Sequence, residues 1–139
     1  MECMYCKEND FRRTLMEEIF QLPSATVMLF RDQRYYGRCV VAFRGRHVNE
    51  LHELTPEELF AYSTAVAKTA KAVQQVSGAA KLNYAIYGDK VSHVHVHIVP
   101  KQRDGEDWGG PFRMDGTPKY LEEEEWNSLR AAILRELEA

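Results

Sequence analysis

Three of the five histidines fall at alternate positions in one short run, His93-Val94-His95-Val96-His97-Ile98-Val99-Pro100. Alternation with period two is a strand pattern, because residues i, i+2 and i+4 of a strand share one face. The run predicts a strand over 91–100, with His93, His95 and His97 on one side and Val94, Val96 and Ile98 turned into a core. Two chemistries suit such a row. Neutral imidazoles on one face can converge on zinc, which would make a metal-dependent hydrolase. A neutral imidazole can also attack phosphorus near pH 7, leaving a phospho- or nucleotidyl-histidine for water to resolve. The other two histidines would then hold phosphate oxygens or protonate the leaving group. An ordinary solvated face is the bland alternative, and three buried imidazoles without partners would be costly.

The second constellation is Cys3-x-x-Cys6. As a redox motif it would normally open a helix after a strand, and no strand is expected before it. As half of a zinc site it needs two more ligands. The third cysteine, Cys39, lies in the apolar run Cys39-Val40-Val41-Ala42-Phe43 and reads as an inert buried thiol. An odd cysteine count argues against a disulfide framework.

Positioning these residues takes a modest set of elements. Residues 11–20 suit a short helix or a helix running into a strand, and strands are expected over 25–30 and 38–43 around a turn ending in Gly37. The clearest helix opens at Thr55-Pro56-Glu57-Glu58, a capping box with proline at the first helical position. Its stripe is Leu59, Tyr62, Val66, Ala70 and Val73, and Ser77-Gly78 ends it. Strands over 82–87 and 91–100 follow, then a glycine- and proline-rich loop over 101–118 and a helix over 122–138 with stripe Trp126, Leu129, Ile133 and Leu137. The pattern is that of one α+β domain over 1–139, a core of 1–101 followed by a loop and C-terminal helix over 102–139, with a mainly antiparallel sheet around a long central helix. At 139 residues, 45% hydrophobic and net charge −3, the chain has material for one core and no global field for nucleic acid or anionic membrane. Its opening residues lack the basic start and apolar run of a secretory signal, so a soluble, cytoplasmic protein is expected.

The run His93 to Val99 matches the His-φ-His-φ-His-φ-φ signature of the histidine triad (HIT) superfamily, where φ is apolar. The Cys3/Cys6 pair, Arg46-His47-Val48, the helix start Leu54-Thr55-Pro56-Glu57-Glu58 and the order of elements resemble the same family, a likeness reaching from the cysteines to Lys101. The resemblance implies a homodimer that hydrolyses or transfers nucleotidyl groups, acting on dinucleoside polyphosphates, adenylylated amines or nucleotide phosphoramidates. It implies His95 as the nucleophile on the α-phosphate, His97 on the phosphate or leaving group, and His93 in support or on a metal. It also implies that Cys3, Cys6, His47 and His93 complete a structural zinc site, with His52 as the rival to His47. A nucleotide-binding regulatory protein with little turnover is a further alternative.

Substrate contacts are expected from Asn83, which resembles the family's phosphate-side asparagine and reads equally as an exposed strand residue. Where many members carry Gly-Gln before the triad, this chain has Gly88-Asp89, a carboxylate that would repel phosphate unless paired, for example with Lys90. Ser92 is the candidate replacement hydroxyl. Phe30, Tyr35 and Tyr36 form either a nucleobase pocket or part of a core or dimer surface. Arg38, Arg44, Arg46, Lys101 and Arg103 are each candidates to grip phosphate, against the ordinary reading of solvated charge.

Overall fold

The computed structural model describes residues 3–139; Met1 and Glu2, the start of the domain expected over 1–139, lie outside the described residues. In chain order the elements are helix α1 (Asp10–Leu15), strands β1 (Met16–Leu22), β2 (Ala25–Phe30) and β3 (Cys39–Phe43), a 3-10 turn (Leu51–Glu53), helix α2 (Pro56–Ser77), strands β4 (Lys81–Ala85) and β5 (His95–Lys101), and helix α3 (Glu123–Glu138). The five strands form one sheet in the order β1-β2-β3-β5-β4, and every neighbouring pair is antiparallel. This is the expected α+β class, and residues 11–20 take the second of their two expected forms, a helix running straight into a strand.

Strands β2 and β3 carry no charged residue and are buried almost throughout, because both faces of the sheet are covered. On one face Val27, Val41 and Ile98 share a core with Tyr62 and Val73 of α2 and with Leu129, Ile133 and Leu137 of α3. Burying one such aliphatic side chain stabilises by roughly 1.5–3 kcal/mol. On the other face Met28, Val40 and Ala42 lie under Met4 and Met16. The N-terminal segment is therefore a lid on half the sheet. Cys39 is fully buried, and desolvation pushes its thiol up to about 12, in keeping with an inert role.

Helix α2 begins as its sequence dictates. Thr55 Oγ1 accepts from the Glu58 backbone N–H at 3.1 Å, and Glu58 Oε1 accepts from the Thr55 N–H at 2.8 Å. Gly78 closes the helix in the left-handed region, at φ 66°. Of the expected stripe, Tyr62, Ala70 and Val73 are buried and Val66 packs against the core, but Leu59 is 40% exposed. It joins Leu51, Tyr84 and Ile86 around an apolar groove beside the edge strand β4. The α3 stripe packs as expected, with the Trp126 indole N–H donating to Glu17 at 3.2 Å.

Two strand boundaries differ from expectation by more than one residue. Strand β4 stops at Ala85 rather than 87, and β5 begins at His95 rather than 91. The cause is the partner strand: β3 ends at Phe43 and the chain turns away through Gly45, at φ 137°. Val94 is still clasped, accepting from Phe43 N–H and donating to Val48 C=O, each at 3.0 Å. His93 has no ladder partner, and its N–H closes a tight turn onto Val91 C=O at 2.9 Å.

The loop expected over 101–118 spans residues 102–122, and it is strapped down. Phe112 is buried against Tyr35 and Val99, and Gln33 N–H donates to Lys119 C=O at 2.7 Å. Arg34 Nη1 donates to Asp115 C=O at 2.5 Å and would stand 2.7 Å from a Cβ at Gly116, whose φ is 95°. Only glycine fits there. Among the described residues, no helix is long and apolar enough to cross a membrane.

Candidate functional site

The ladder pairs His97 with Val40 and His95 with Ala42, so both imidazoles stand on the lid-covered face of the sheet. Val94, Val96 and Ile98 enter the opposite core, as expected. The strand boundary corrects the third position: His93 lies before β5, and its ring turns away towards the N-terminal cysteines. All three rings are buried.

Each ring has one nitrogen whose partner dictates the proton. His95 Nδ1 lies 2.6 Å from the His93 carbonyl oxygen, which can only accept, so Nδ1 carries the hydrogen and Nε2 keeps its lone pair. His97 Nδ1 lies 3.1 Å from Arg38 Nη2, which can only donate, so the lone pair is at Nδ1 and the hydrogen of a neutral ring is at Nε2. His93 Nε2 donates to Phe43 C=O at 2.8 Å, which frees its Nδ1. Burial holds the pKa of all three below the usual imidazole value; for His97, burial and then the Arg38 charge push it down to about 3.

The freed Nδ1 of His93 faces Cys3 Sγ at 3.3 Å, Cys6 Sγ at 3.4 Å and His47 Nδ1 at 3.2 Å, and Cys6 Sγ is 3.1 Å from His47 Nδ1. His47 Nε2 is taken by Asn49 Oδ1 at 2.8 Å, so its Nδ1 also presents a lone pair. Two facing imidazole lone pairs repel unless a cation lies between them. All four ligand atoms lie within 4.8 Å of one another, and the separations are close to the roughly 3.3–3.6 Å edges of a tetrahedron with zinc bond lengths. The donor set and the outer hydrogen bonds to Phe43 and Asn49 fit a closed structural zinc site. A tight turn, with Cys6 and Lys7 N–H on Cys3 C=O, holds the cysteines, and buried Arg12 ties that turn down through Met4 C=O at 3.2 Å. His52, in the 3-10 turn, is exposed and outside the cluster. A single zinc on His93, His95 and His97 does not fit, since His93 aims elsewhere and His97 faces a guanidinium.

Of the five basic candidates, only Arg38 reaches the histidines. Arg44 donates to Leu22 C=O at 2.8 Å, and Arg46 pairs with Glu58 at 2.8 Å. Lys101 Nζ binds the carbonyls of Asp107 and Gly110, and Arg103 lies over the Trp108 ring. Arg38 is 1% exposed, with its guanidinium over Phe30 at 4.0 Å and Phe112 at 5.0 Å.

Phe30 thus borders the site, its ring 6.2 Å from His97. Tyr35 is buried under the loop, bonded to Asp107 and to Arg113 N–H, which makes it a strut rather than part of a base pocket. Asn83 shares the histidine face, opposite Val99, and lines a cleft with Lys81, Lys101 and Trp108. Asp89 and Ser92 are exposed on the β4–β5 loop beside Tyr87, whose ring is 5.8 Å from His97. Two residues escaped sequence reasoning. Tyr5 stacks on His95, centroids 4.5 Å apart and planes 27° from parallel, and Phe112 stands 6.1 Å from His97. The signal for Tyr5 was its place between two metal-type cysteines, since pinning Cys3 and Cys6 at His93 carries Tyr5 onto the next ring.

The chain has counterparts among known proteins. Among curated proteins, the bis(5'-nucleosyl)-tetraphosphatase (asymmetrical) of Schizosaccharomyces pombe is 36% identical over 69 residues, covering 46% of this chain and 38% of that protein. The chain therefore spans well under two thirds of that relative's length. A histidine triad protein from Bradyrhizobium japonicum has the same fold, with TM-score 0.85 at 21% identity over 93% of this chain and 96% of that one. A Zn-bound histidine triad family protein from Mycobacterium smegmatis aligns with TM-score 0.65 at 23% identity, over 97% of this chain and 95% of that one. The HIT domain family model matches residues 13–104, a span that holds β1 to β5 and the whole histidine row, and the chain belongs to that family.

Proposed function

We propose that the protein is a nucleotidyl hydrolase or transferase that cleaves a phosphoanhydride or phosphoramidate of a nucleotide through a covalent nucleotidyl-histidine on His95. The observation that carries this reading is the His95 hydrogen bond to the His93 carbonyl, which leaves a buried, uncharged Nε2 lone pair as nucleophile. His95 Nε2 attacks the α-phosphorus, and the bond to the leaving group breaks with its electron pair on the leaving atom. The positive charge gained by the ring is eased through Nδ1–H and the His93 carbonyl. Water, or another acceptor hydroxyl, then attacks the same phosphorus. The P–N bond breaks, its pair returns to Nε2, and the incoming group's proton goes to solvent. The His97 Nε2–H donates to a phosphate oxygen during both steps.

Phe30 borders the nucleobase, Asn83 lies on the phosphate side, and Asp89 and Ser92 meet the substrate at the mouth. Cys3, Cys6, His47 and His93 would hold a structural zinc ion. Zinc, when bound, supplies a clamp that fixes the N-terminal lid and the carbonyl of His93, and no chemical step uses it. The tetraphosphatase activity for which the fission-yeast relative is named supports a nucleotide polyphosphate substrate. The reading includes a two-fold homodimer, supported by the apolar groove of Leu51, Leu59, Tyr84 and Ile86 beside the unpaired edge of β4. A turnover panel of dinucleoside polyphosphates and adenosine 5'-phosphoramidate tests the activity. Release of AMP from at least one is expected, and no turnover of any would refute it.

A further inference from the structure

Arg38 is the largest fully buried side chain in the protein, yet among the described residues no carboxylate pairs with it. The nearest acidic influence, Asp32, is committed to Arg34 at 3.0 Å and to the backbone N–H groups of Arg34 and Lys119. The guanidinium instead lies between the Phe30 and Phe112 rings, with Nη2 on His97 Nδ1 and Met114 Sδ at 3.1 and 3.2 Å. Among the described residues, its buried Nε–H has no hydrogen-bond partner. A buried unpaired cation costs several kcal/mol in general, and removing one partner of a buried pair is similarly costly. Such a group is tolerated where an anionic ligand completes it.

Position adds a second consequence. The cation stands against the very ring, His97, that a leaving group would need as its acid. An imidazolium there would face a permanent positive charge across one hydrogen bond, inside an apolar wall of Phe30, Phe112 and Val99. The pair offers hydrogen bonds to an oxyanion, and it offers no proton. Burial lowers Arg38 to about 10, which still leaves it charged at neutral pH.

Building on the nucleotidyl-histidine reading, we infer that Arg38 is the counter-charge for the substrate's phosphate oxygens and that, set against His97, it selects leaving groups that depart as anions: nucleoside phosphoanhydrides over phosphoramidates. When an anhydride P–O bond breaks, its electron pair stays on a phosphate oxygen that needs no proton. When a phosphoramidate P–N bond breaks, the nitrogen must gain a proton to leave as an amine, and the Arg38–His97 pair does not supply one.

The test compares wild type, Arg38→Lys and Arg38→Gln, first as kcat/KM for diadenosine tetraphosphate and for adenosine 5'-phosphoramidate. The wild type should favour the anhydride by at least about tenfold. Arg38→Gln should lose roughly 10²–10³-fold on the anhydride, the usual effect of deleting an oxyanion donor, and much less on the phosphoramidate. Arg38→Lys, which keeps the charge and loses the fork, should recover part of the anhydride rate. Calorimetric titration with AMP and with adenosine is read without turnover. Arg38→Gln should weaken AMP binding at least about tenfold and leave adenosine binding unchanged, and this also reports that the variant is folded. A wild type that prefers the phosphoramidate, an Arg38→Gln that slows both substrates equally, or one that binds AMP as wild type does would each overturn the assignment. If the wild type turned over neither substrate, the covalent-histidine reading would fail, and AMP against adenosine binding would decide the role of Arg38 by itself.

Discussion

The histidine row joins two corners of opposite character. At one end His93 meets His47, Cys3 and Cys6, soft donors whose lone pairs converge. At the other end His97 meets Arg38, a cation with donors only and no carboxylate beside it among the described residues. The first corner suits a metal cation and the second suits an anion. Residue type does not make the difference, since three identical side chains alternate along seven Å or so of backbone per pair. The difference comes from the partner each ring meets: the Phe43 carbonyl, the His93 carbonyl and the Arg38 guanidinium. Between the corners, His95 touches both neighbours, its Nδ1–H held by the backbone of one and its ring edge-on to the ring of the other.

The largest expected effect belongs to the middle ring. His95→Ala should lower turnover by about 10⁴-fold or more while the far-UV circular dichroism and melting curve stay near wild type. Wild-type turnover in this variant would break the comparison, because neither corner would then serve a nucleophile.

Next comes the cation corner. Purified protein should hold about one zinc per chain by elemental analysis. Cys3→Ser combined with Cys6→Ser should lose it and melt roughly 10 °C lower, the shift that about 3 kcal/mol produces in a domain of this size. Turnover should fall far less than in His95→Ala, because the proposed metal would hold the lid and take no part in the chemistry. Equal losses would merge the two corners into one catalytic centre.

The smallest effect sharpens the anion corner. The ring of His97 faces Arg38 from the residue before β3, His95 from its own strand, Tyr87 from the β4–β5 loop and Phe112 from the strap. Its pKa is about 3 when folded and about 6.5 when unfolded. Below pH 6.5 the unfolded chain takes up a proton that folded His97 refuses. This group's contribution to stability is therefore full above pH 6.5 and lost as pH falls towards 3, at up to about 1.4 kcal/mol per pH unit. Denaturant titrations of wild type and His97→Asn between pH 7 and 4 should differ by that slope. Parallel curves would mean that His97 is not held neutral.

Local signals were legible in the sequence and long-range ones were not. The Thr55–Glu58 box, the β2 and β3 runs and the α3 stripe need only neighbouring residues, and each formed as its pattern dictates. His93 left the expected strand because its would-be partner, β3, turns off at Gly45, and the alternating pattern carries no trace of that. Leu59 has the right helical phase, yet it looks over the edge strand β4 instead of into the core. The histidines and the cysteines were visible as chemistry. Arg38 was one of five equal basic candidates until its hydrogen bond to His97 separated it from the other four. Phe112 reaches His97 only because Arg34, Tyr35 and Lys101 strap down the loop that carries it.

Everything proposed for the histidine row turns on a bond between His95 and phosphorus. The most direct test is a rapid-quench, single-turnover reaction of the wild type with diadenosine tetraphosphate, stopped in alkali and read by mass spectrometry of peptides spanning the histidine row. The account predicts a transient adenylyl adduct on His95, formed at least as fast as product appears and missing from His95→Ala. Product formed with no adduct at any time point, or an adduct carried by His93 or His97 instead, would contradict it.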